Sequence, residues 1–458
     1  MTGAPPFEFS PQKLVYGGEA LGYHEGRTVL VPRALPGERL EVEELRVAKG
    51  VVHARPLRVL AAAPERTEPP CPYFGRCGGC HYQHLAVDLQ PAVKREILRE
   101  TLRRIGKLTW EAEIPVHQAQ PWSYRNQAQL KVGAQPDGGV ALGFFEAESH
   151  RLFPVDACLI LSPRLNAVLA ELRRPEILPR LAGVHEIELL ADDRDEQVMI
   201  TLRGSFESHE FHESREIHVL AEDLLARLPG ATSVAVENIE RGGELKVYGQ
   251  PLLIYRVSSG RVGDFGYRVS PGSFFQASRF LIPQLVSAAT YNDTNERGLA
   301  LDLYAGVGLL SLPLARSFEE VVAVESNRTS AADLAANARA QGVANLRAVN
   351  QSVSDFLRRF ARGAPDLVVP DLVVLDPPRA GVEARALKLL AALRPRHVTY
   401  VSCHPPTLAR DLRYLTAHGY RLAAVELFDS FAQTFHIEAL ARLVRSDLVG
   451  NCRLEIDD

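Results

Sequence analysis

Cys403 closes an apolar run rich in β-formers, Val398-Thr-Tyr-Val-Ser402, and Pro405 and Pro406 follow it almost at once. Proline cannot donate to a ladder, so the two prolines end the strand just past the thiol. Ligands of open α/β sheets bind beyond the carboxyl ends of the strands. A thiol delivered to that point is presented as a nucleophile, whereas most free cysteines are small buried hydrophobes.

The other cysteines are unevenly spread. Six occur, at 71, 77, 80, 158, 403 and 452, and the first three lie within ten residues, in Cys71-Pro-Tyr-Phe-Gly-Arg-Cys-Gly-Gly-Cys80. The spacing C-x5-C-x2-C supplies three soft thiolates, with glycines that let the backbone wrap a metal centre. Cys158, in Phe153-Pro-Val-Asp-Ala-Cys158, is the candidate for a fourth ligand. In a cytosolic chain such clustering points to metal before disulfide. Four thiolates suit either a [4Fe-4S] cluster or tetrahedral zinc, and spacing alone leaves both open.

A third group of residues has the chemistry of cofactor binding. Leu301-Asp-Leu-Tyr-Ala-Gly-Val-Gly308 follows one strand and opens a helix, so Gly306 and Gly308 let a ligand approach the backbone. A dinucleotide fold requires a third glycine, and position 311 is serine. The pattern suits a nucleoside without a pyrophosphate, namely S-adenosylmethionine. Glu325 closes the next strand, where a carboxylate accepts hydrogen bonds from ribose hydroxyls. Asp376-Pro-Pro-Arg-Ala-Gly381 ends a further strand, its prolines holding an extended loop with the Asp376 carboxylate beside the cofactor. Amino-group methyltransferases place an aromatic after Asp-Pro-Pro, whereas this chain has Arg379, which argues against N-methylation. Pro271-Gly-Ser-Phe-Phe-Gln276 is either core or the wall of a pocket that stacks and hydrogen-bonds a planar ring.

Elements of three kinds must position these groups, which makes the expected fold multidomain. Residues 1–63 carry short alternating strands at 13–18, 26–32, 38–45 and 50–55, the pattern of a small β-barrel of the oligonucleotide-binding (OB-like) kind. Residues 64–70 read as a linker. The region 64–275 is expected to be a central α+β domain holding the cysteine motif, with a helix over 90–107. That helix has Val93, Ile97, Leu98, Leu102 and Ile105 on one side. Lys94, Arg95, Arg99, Arg103, Arg104 and Lys107 form a basic solvent face, balanced by Glu96 and Glu100. RNA contact by this helix is a second reading of the same charges. A hairpin is expected where 127–132 faces 140–145 across Gln135-Pro-Asp-Gly-Gly139. From 276 to 458 strands alternate with helices as in a doubly wound, Rossmann-like sheet, with strands at 299–304, 320–325, 346–349, 372–376, 397–403, 422–427 and 437–443. The 458 residues are 46% hydrophobic and 24% charged with net charge −4, so a protein that coats nucleic acid everywhere is excluded and any RNA contact is local. No run of eighteen apolar residues exists, and the first ten residues have neither a basic nor an apolar leader segment. The expectation is a cytoplasmic protein without a membrane segment and with no obligate protein partner.

Taken together, Ser273-Phe-Phe-Gln276, the segment from Asp302 to Gly308, Asp376 to Gly381, Ser402-Cys-His-Pro-Pro-Thr-Leu-Ala-Arg-Asp411 and Gln433-Thr-Phe-His-Ile-Glu438 resemble the RNA 5-methyluridine methyltransferases. The likeness covers nearly the whole chain. It implies a class I methyltransferase domain, a TRAM barrel at the N-terminus and a [4Fe-4S] cluster, rather than zinc, on Cys71, Cys77, Cys80 and Cys158. It also implies the roles of the site residues. Cys403 would attack C6 of uracil, C5 would take the methyl group, and Glu438 would remove the C5 proton. Gln276, Tyr304, Gly306, Gly308, Glu325 and Asp376 would hold the cofactor or the base, which must be flipped or lie in a loop. Relatives acting on tRNA in many bacteria lack both the barrel and the cysteines, so the chain resembles the 23S rRNA enzymes more. The alternatives are a tRNA T-loop enzyme and a non-catalytic RNA-binding relative, and a decayed site would be expected to lose Cys403 or Glu438. The sequence departs from the family at His404, Leu309, Ala432 and Phe435, and a histidine at 404 can tune the thiol.

Overall fold

The computed structural model describes residues 5–135, 138–205, 215–241, 244–260, 263–291, 296–361 and 369–451. Cys452 and the turn residues Pro136 and Asp137 lie outside them.

Near the N-terminus, strands Phe7–Phe9, Lys13–Leu14, Glu19–His24, Arg27–Pro32, Arg39–Ala48 and Val51–Ala61 form one sheet. Each of the four expected strands has a counterpart, the first shortened to Lys13–Leu14, and Phe7–Phe9 and Glu19–His24 are additions. Pairing is antiparallel except that Arg27–Pro32 runs parallel to Val51–Ala61. Alternation sends Ala20, Val29, Val31, Leu40, Val42, Val52 and Ala54 inward. The stretch expected as a linker is fastened down: Arg66 forks onto the buried carboxylate of Glu38 and donates to the Arg33 carbonyl at 2.8 Å.

The central sheet has seven strands, in spatial order Leu152–Pro154, Val140–Phe145, Gln127–Ala134, Val184–Ala191, Val198–Gly204, Ala231–Asn238 and Glu244–Gly249. The expected hairpin pairs Lys131 with Gly143 and Ala134 with Val140. Only Val198–Gly204 and Ala231–Asn238 are parallel. Helix Arg215–Arg227 lies between them in the chain, as a parallel connection requires.

The helix expected over 90–107 is Gln90–Arg104. Its charges are mostly balanced on the surface, with Lys13, Arg103 and Arg104 all beside Glu100. Lys94 is a correction to the sequence reading. Expected on the solvent face, it is fully buried, donating to Asp429 at 2.6 Å and to the Phe431 carbonyl at 2.9 Å. Position 94 lies one turn from Ile97 and Leu98, at the margin of the apolar stripe, and there a partner in another element decides which way the side chain turns.

The C-terminal sheet holds all seven expected strands and an eighth. Its spatial order is Leu346–Asn350, Glu320–Glu325, Leu299–Leu303, Leu372–Leu375, His397–Ser402, Glu438–Arg445, Tyr420–Phe428 and Val116–His117. The first five are parallel, Glu438–Arg445 is antiparallel to its neighbours, and Val116–His117 adds itself beside Leu427 and Phe428. A two-residue strand far upstream leaves no periodic signal, so the sequence could not show it. No described helix is long and apolar enough to cross a membrane.

Candidate functional site

Strand order reverses between Leu299–Leu303 and Leu372–Leu375, since the chain leaves the former toward one edge and returns to the other side of it. The crevice beyond the carboxyl ends of these strands is where an open sheet binds its ligand. The segment after the first of them enters it under strain. Tyr304 has φ +68, held by hydrogen bonds from the Tyr304 and Ala305 amides to the Val324 carbonyl, both 3.0 Å. The two glycines serve different ends. A side chain at Gly308 (φ +96) would come within 2.6 Å of Leu334, whereas beside Gly306 (φ +55) there is nothing within 4 Å. Gly308 is required by packing, and Gly306 leaves open space. Its amide donates to Glu325 at 2.8 Å, and the other oxygen of Glu325 accepts from the Asn327 amide at 2.6 Å.

Asp302 is buried, accepts a hydrogen bond from Ser311 with one oxygen and has no partner for the other among the described residues. Burial pushes its carboxyl up from the ordinary 3.8 to about 7, against the pull of Ser311 and with a push from Glu325. Serine at 311 thus has a use of its own: it anchors the carboxylate under the glycine loop. The folded protein keeps a proton on Asp302 that the unfolded chain releases. The stabilisation is complete below about 4 and is lost as pH rises through about 7. Asp302→Asn keeps the acceptor and removes the titration. Its melting temperature should rise relative to wild type as pH goes from about 4 to about 7. A flat difference would show that Asp302 is ionised in the fold.

The loop after Leu372–Leu375 brings Asp376 to the same crevice, where Gln276 donates to it at 3.2 Å. Burial and the nearby Asp302 push Asp376 up to about 7, and the bond from Gln276 opposes them. The loop is pinned from behind by Asp411, fully buried, which accepts from the Val382 amide at 2.9 Å and the Tyr400 hydroxyl at 2.8 Å. A side chain at Gly381 would lie 2.7 Å from an Asp411 oxygen, which is why that position is glycine. A cavity of about 870 Å³ opens alongside, lined by Tyr304, Ser326, Ser352, Pro378, Glu383 and Arg410. Of the expected cofactor residues only Tyr304 lines it. Gly306, Glu325 and Asp376 stand at the adjoining strand ends, and Ser326 and Ser352 are additions that the sequence reading missed.

Cys403 follows strand His397–Ser402, and Glu438 opens the antiparallel strand paired with it, where Ser402 faces Ala439. Burial pushes the Cys403 thiol up to about 12, reinforced by Glu438 and Asp376 and opposed by Arg379. Glu438 is buried and raised well above the carboxylate range by desolvation and by Asp376, with Arg379 again opposing. The nucleophile candidate and two carboxyl groups therefore share one electrostatic neighbourhood served by a single guanidinium. The sequence reading used Arg379 only as the aromatic that is absent. A cation on the loop after a strand end was the signal available.

The departures from the family pattern have structural uses. His404 caps helix Pro405–Ala417, its Nδ1 accepting from the Thr407 amide at 3.3 Å. Burial, Arg379 and Arg410 lower its pKa, which keeps that nitrogen free to accept. The ring nitrogen is committed to the cap rather than to the thiol. The Leu309 side chain is core and its carbonyl accepts from Tyr267 at 3.0 Å, while the Ala432 carbonyl accepts from Tyr124 at 2.9 Å. In the Phe-Phe-Gln segment, Phe275 is buried against Tyr255, while Phe274 is 62% exposed two residues before Gln276.

Cys71, Cys77, Cys80 and Cys158 line one cavity of about 180 Å³, together with Gly79 and Arg125. Burial raises the thiols of Cys77 and Cys158, and that of Cys80 to about 12. Among the described residues no three His, Cys, Asp or Glu side chains are drawn together as a metal-holding group. The donor chemistry nonetheless fits a cluster held by sulfur: four thiols line one cavity and no carboxylate lines it with them.

A mixed eight-stranded sheet of this order, an acid closing its second strand in the chain and a glycine loop after its first define a class I methyltransferase fold. The sequence profile of the tRNA (Uracil-5-)-methyltransferase family matches residues 88–446, and the chain belongs to that family of RNA methyltransferases. Two relatives are similar along their length. An uncharacterized RNA methyltransferase of Halalkalibacterium halodurans is 32% identical over 462 residues, spanning 95% of this chain and 96% of the relative. The 23S rRNA (uracil(1939)-C(5))-methyltransferase RlmD of Alkalilimnicola ehrlichii is 34% identical over 453 residues, spanning 95% and 96%. The fold is also that of the Pyrococcus abyssi tRNA (uracil-54, C5)-methyltransferase crystallised with S-adenosyl-L-homocysteine. That likeness has a TM-score of 0.68 at 23% identity and covers 96% of this chain and 100% of the other.

Proposed function

We propose that this protein transfers the methyl group of S-adenosylmethionine to C5 of a uridine in RNA through a covalent bond between Cys403 and C6. The observation that carries the reading is the convergence of Cys403, Glu438, Asp376 and Arg379 beyond the strand ends, next to the Tyr304–Glu325 crevice. C5 of uracil is too weak a nucleophile to displace a methyl group unaided. When sulfur adds to C6, the electron pair of the C5–C6 bond moves toward O4 and C5 becomes an enolate carbon. C5 then bonds the methyl carbon, the sulfonium departs as S-adenosylhomocysteine, and Glu438 takes the C5 proton as the C6–S bond breaks. With its thiol pushed up to about 12, Cys403 gives its proton to solvent water as the base is engaged, and Arg379 offsets the charge left on sulfur. Gln276 and Asp376 hold the base or cofactor, Gly306 and Glu325 the nucleoside end, and Gly308 shapes the loop. Phe274, exposed beside Gln276, can stack on a neighbouring RNA base.

For the RNA we favour 23S rRNA over the tRNA T-loop, and the cytoplasm as the place of action. The supporting observations are a likeness to RlmD along nearly the whole chain and two features ahead of the catalytic sheet. One is the six-stranded N-terminal sheet, which we read as a TRAM-like barrel over 1–63. The other is the four-cysteine cavity within a central region over 64–275, followed by a methyltransferase domain over 276–458. Mass spectrometry of RNA nucleosides from a deletion strain, followed by primer extension, tests both substrate and site. Loss of 5-methyluridine from 23S rRNA is expected; loss of a methylated purine instead would overturn the reading.

Cys71, Cys77, Cys80 and Cys158 would hold a [4Fe-4S] cluster, whose thiolate bonds would cross-link the 71–80 loop to the turn at 158. Polar methyl transfer needs no electrons, and no step is assigned to it. Protein purified without oxygen should be brown with about four irons per chain. Alanine at any of the four cysteines should bleach it, and colourless protein with stoichiometric zinc would overturn the cluster.

A further inference from the structure

The N-terminal sheet reaches the catalytic crevice through one tight turn. The Val15 amide bonds the Glu19 carbonyl at 3.0 Å and the Gly18 amide bonds the Val15 carbonyl at 3.2 Å, closing a loop with Tyr16 at its tip. Gly17 and Gly18 take φ +114 and +87, which only glycine adopts readily. A side chain at Gly18 would meet His81 at 3.0 Å, so the tip is pressed against the residue that follows Cys80. From there the Tyr16 ring makes edge contacts with two rings of the catalytic half. It stands 5.2 Å from His404, beside the nucleophile, and 5.3 Å from Phe435, three residues before Glu438. Its hydroxyl has no hydrogen-bond partner among the described residues and is not sealed from solvent.

We propose that Tyr16 is a substrate-contacting residue of the methyl transfer. Its hydroxyl donates a hydrogen bond to the uracil carbonyl oxygen that becomes anionic when Cys403 adds to C6. The inference rests on the uracil reading above and adds a catalytic group from a different sheet. The chemistry calls for such a donor, because an enolate oxygen is stabilised most by donors already aimed at the place where its charge develops. Tyrosine qualifies at working pH: burial pushes the hydroxyl up to about 12, with Cys403 and Glu438 adding to the rise and Arg379 opposing it, so it keeps its proton. The ring contacts with His404 and Phe435 bring Tyr16 to the side of the crevice that holds Cys403 and Glu438. The arrangement makes the N-terminal sheet part of the catalytic site as well as a surface for RNA.

The test compares wild type with Tyr16→Phe, which keeps both ring contacts and removes only the donor. Each is mixed at saturation with S-adenosylmethionine and RNA carrying 5-fluorouridine at the target, and the denaturation-resistant protein–RNA band is followed in a single turnover. Tyr16→Phe should form the adduct at least about tenfold more slowly, as loss of one oxyanion donor does, with RNA affinity by filter binding and melting temperature unchanged. Tyr16→His, which keeps an aromatic ring with an N–H donor, should recover part of the rate. Equal rates at saturation, or a defect confined to RNA affinity, would overturn the role of Tyr16 alone. No adduct with wild type would overturn the uracil reading itself, and this inference with it.

Discussion

Alanine at Cys403 is expected to abolish methyl transfer to RNA, a fall of roughly four orders of magnitude or more, because a nucleophile and its activating groups act as a unit. The physical reason is specific to the substrate. Without sulfur at C6, no electron density reaches C5, and no arrangement of Asp376, Arg379 or Glu438 supplies it. The same substitution should leave S-adenosylmethionine binding intact, since Cys403 lies beyond a different strand from the Tyr304–Gly308 loop and Glu325. Radiolabelled cofactor with 5-fluorouridine RNA gives a second readout. Fluorine cannot leave as a proton, so wild type should accumulate a labelled covalent complex and Cys403→Ala none. A variant that still methylated uridine would remove Cys403 as nucleophile and leave the crevice without a thiol.

The sequence showed the C-terminal sheet well because its strands are bounded by turn signals and four of them carry a candidate site residue at or just past their carboxyl ends. Asp302, Glu325, Asp376 and Cys403 all stand where a strand gives out. The sequence did not show what depends on distant partners. Lys94 reads as a surface charge until Asp429 is placed beside it, and Val116–His117 becomes a strand only because Phe428 is there to pair with. Ser311 was legible as an absent glycine and not as the anchor of Asp302. Tyr16 lay in a segment whose composition gave it no task, and only the fold carries that turn onto His404 and Phe435. The four cysteines were legible by type, while their meeting in one cavity depends on the central sheet.

On the uracil reading proposed above, the charge balance of the crevice keeps the thiol in its protonated form while the crevice is empty. Cys403, Asp376 and Glu438 are all pushed toward their protonated forms, and Arg379 is the cation that opposes this at both Cys403 and Glu438. Thiolate is therefore scarce until a base occupies the crevice. A thiol held in that form is shielded from adventitious alkylation and oxidation, which follow thiolate character.

Glutamine at Glu438 is expected to convert the protein from a catalyst into a trap. The amide keeps the shape and hydrogen-bonding reach of the carboxyl but cannot accept the C5 proton. Addition of Cys403 and transfer of the methyl group both precede that proton's departure, so they proceed, and the methylated RNA stays bonded to sulfur. Turnover should fall by about 10²–10⁴-fold, the usual worth of a general base. Ordinary uridine RNA, with no fluorine, should then give a denaturation-resistant band carrying label from S-adenosylmethionine. The elevated pKa of Glu438 suits it to the step, because a carboxylate that prefers its proton is a stronger base toward carbon. The same elevation makes wild-type release rise with pH as Glu438 ionises, a limb that Glu438→Gln should lack. His436 is a poor substitute: burial first, then Arg379, pushes it down to about 3, so it holds a proton too weakly to draw one from C5. A variant that turned over at the wild-type rate, or that bound both substrates and accumulated no adduct, would exclude Glu438 and leave a bound water as the acceptor.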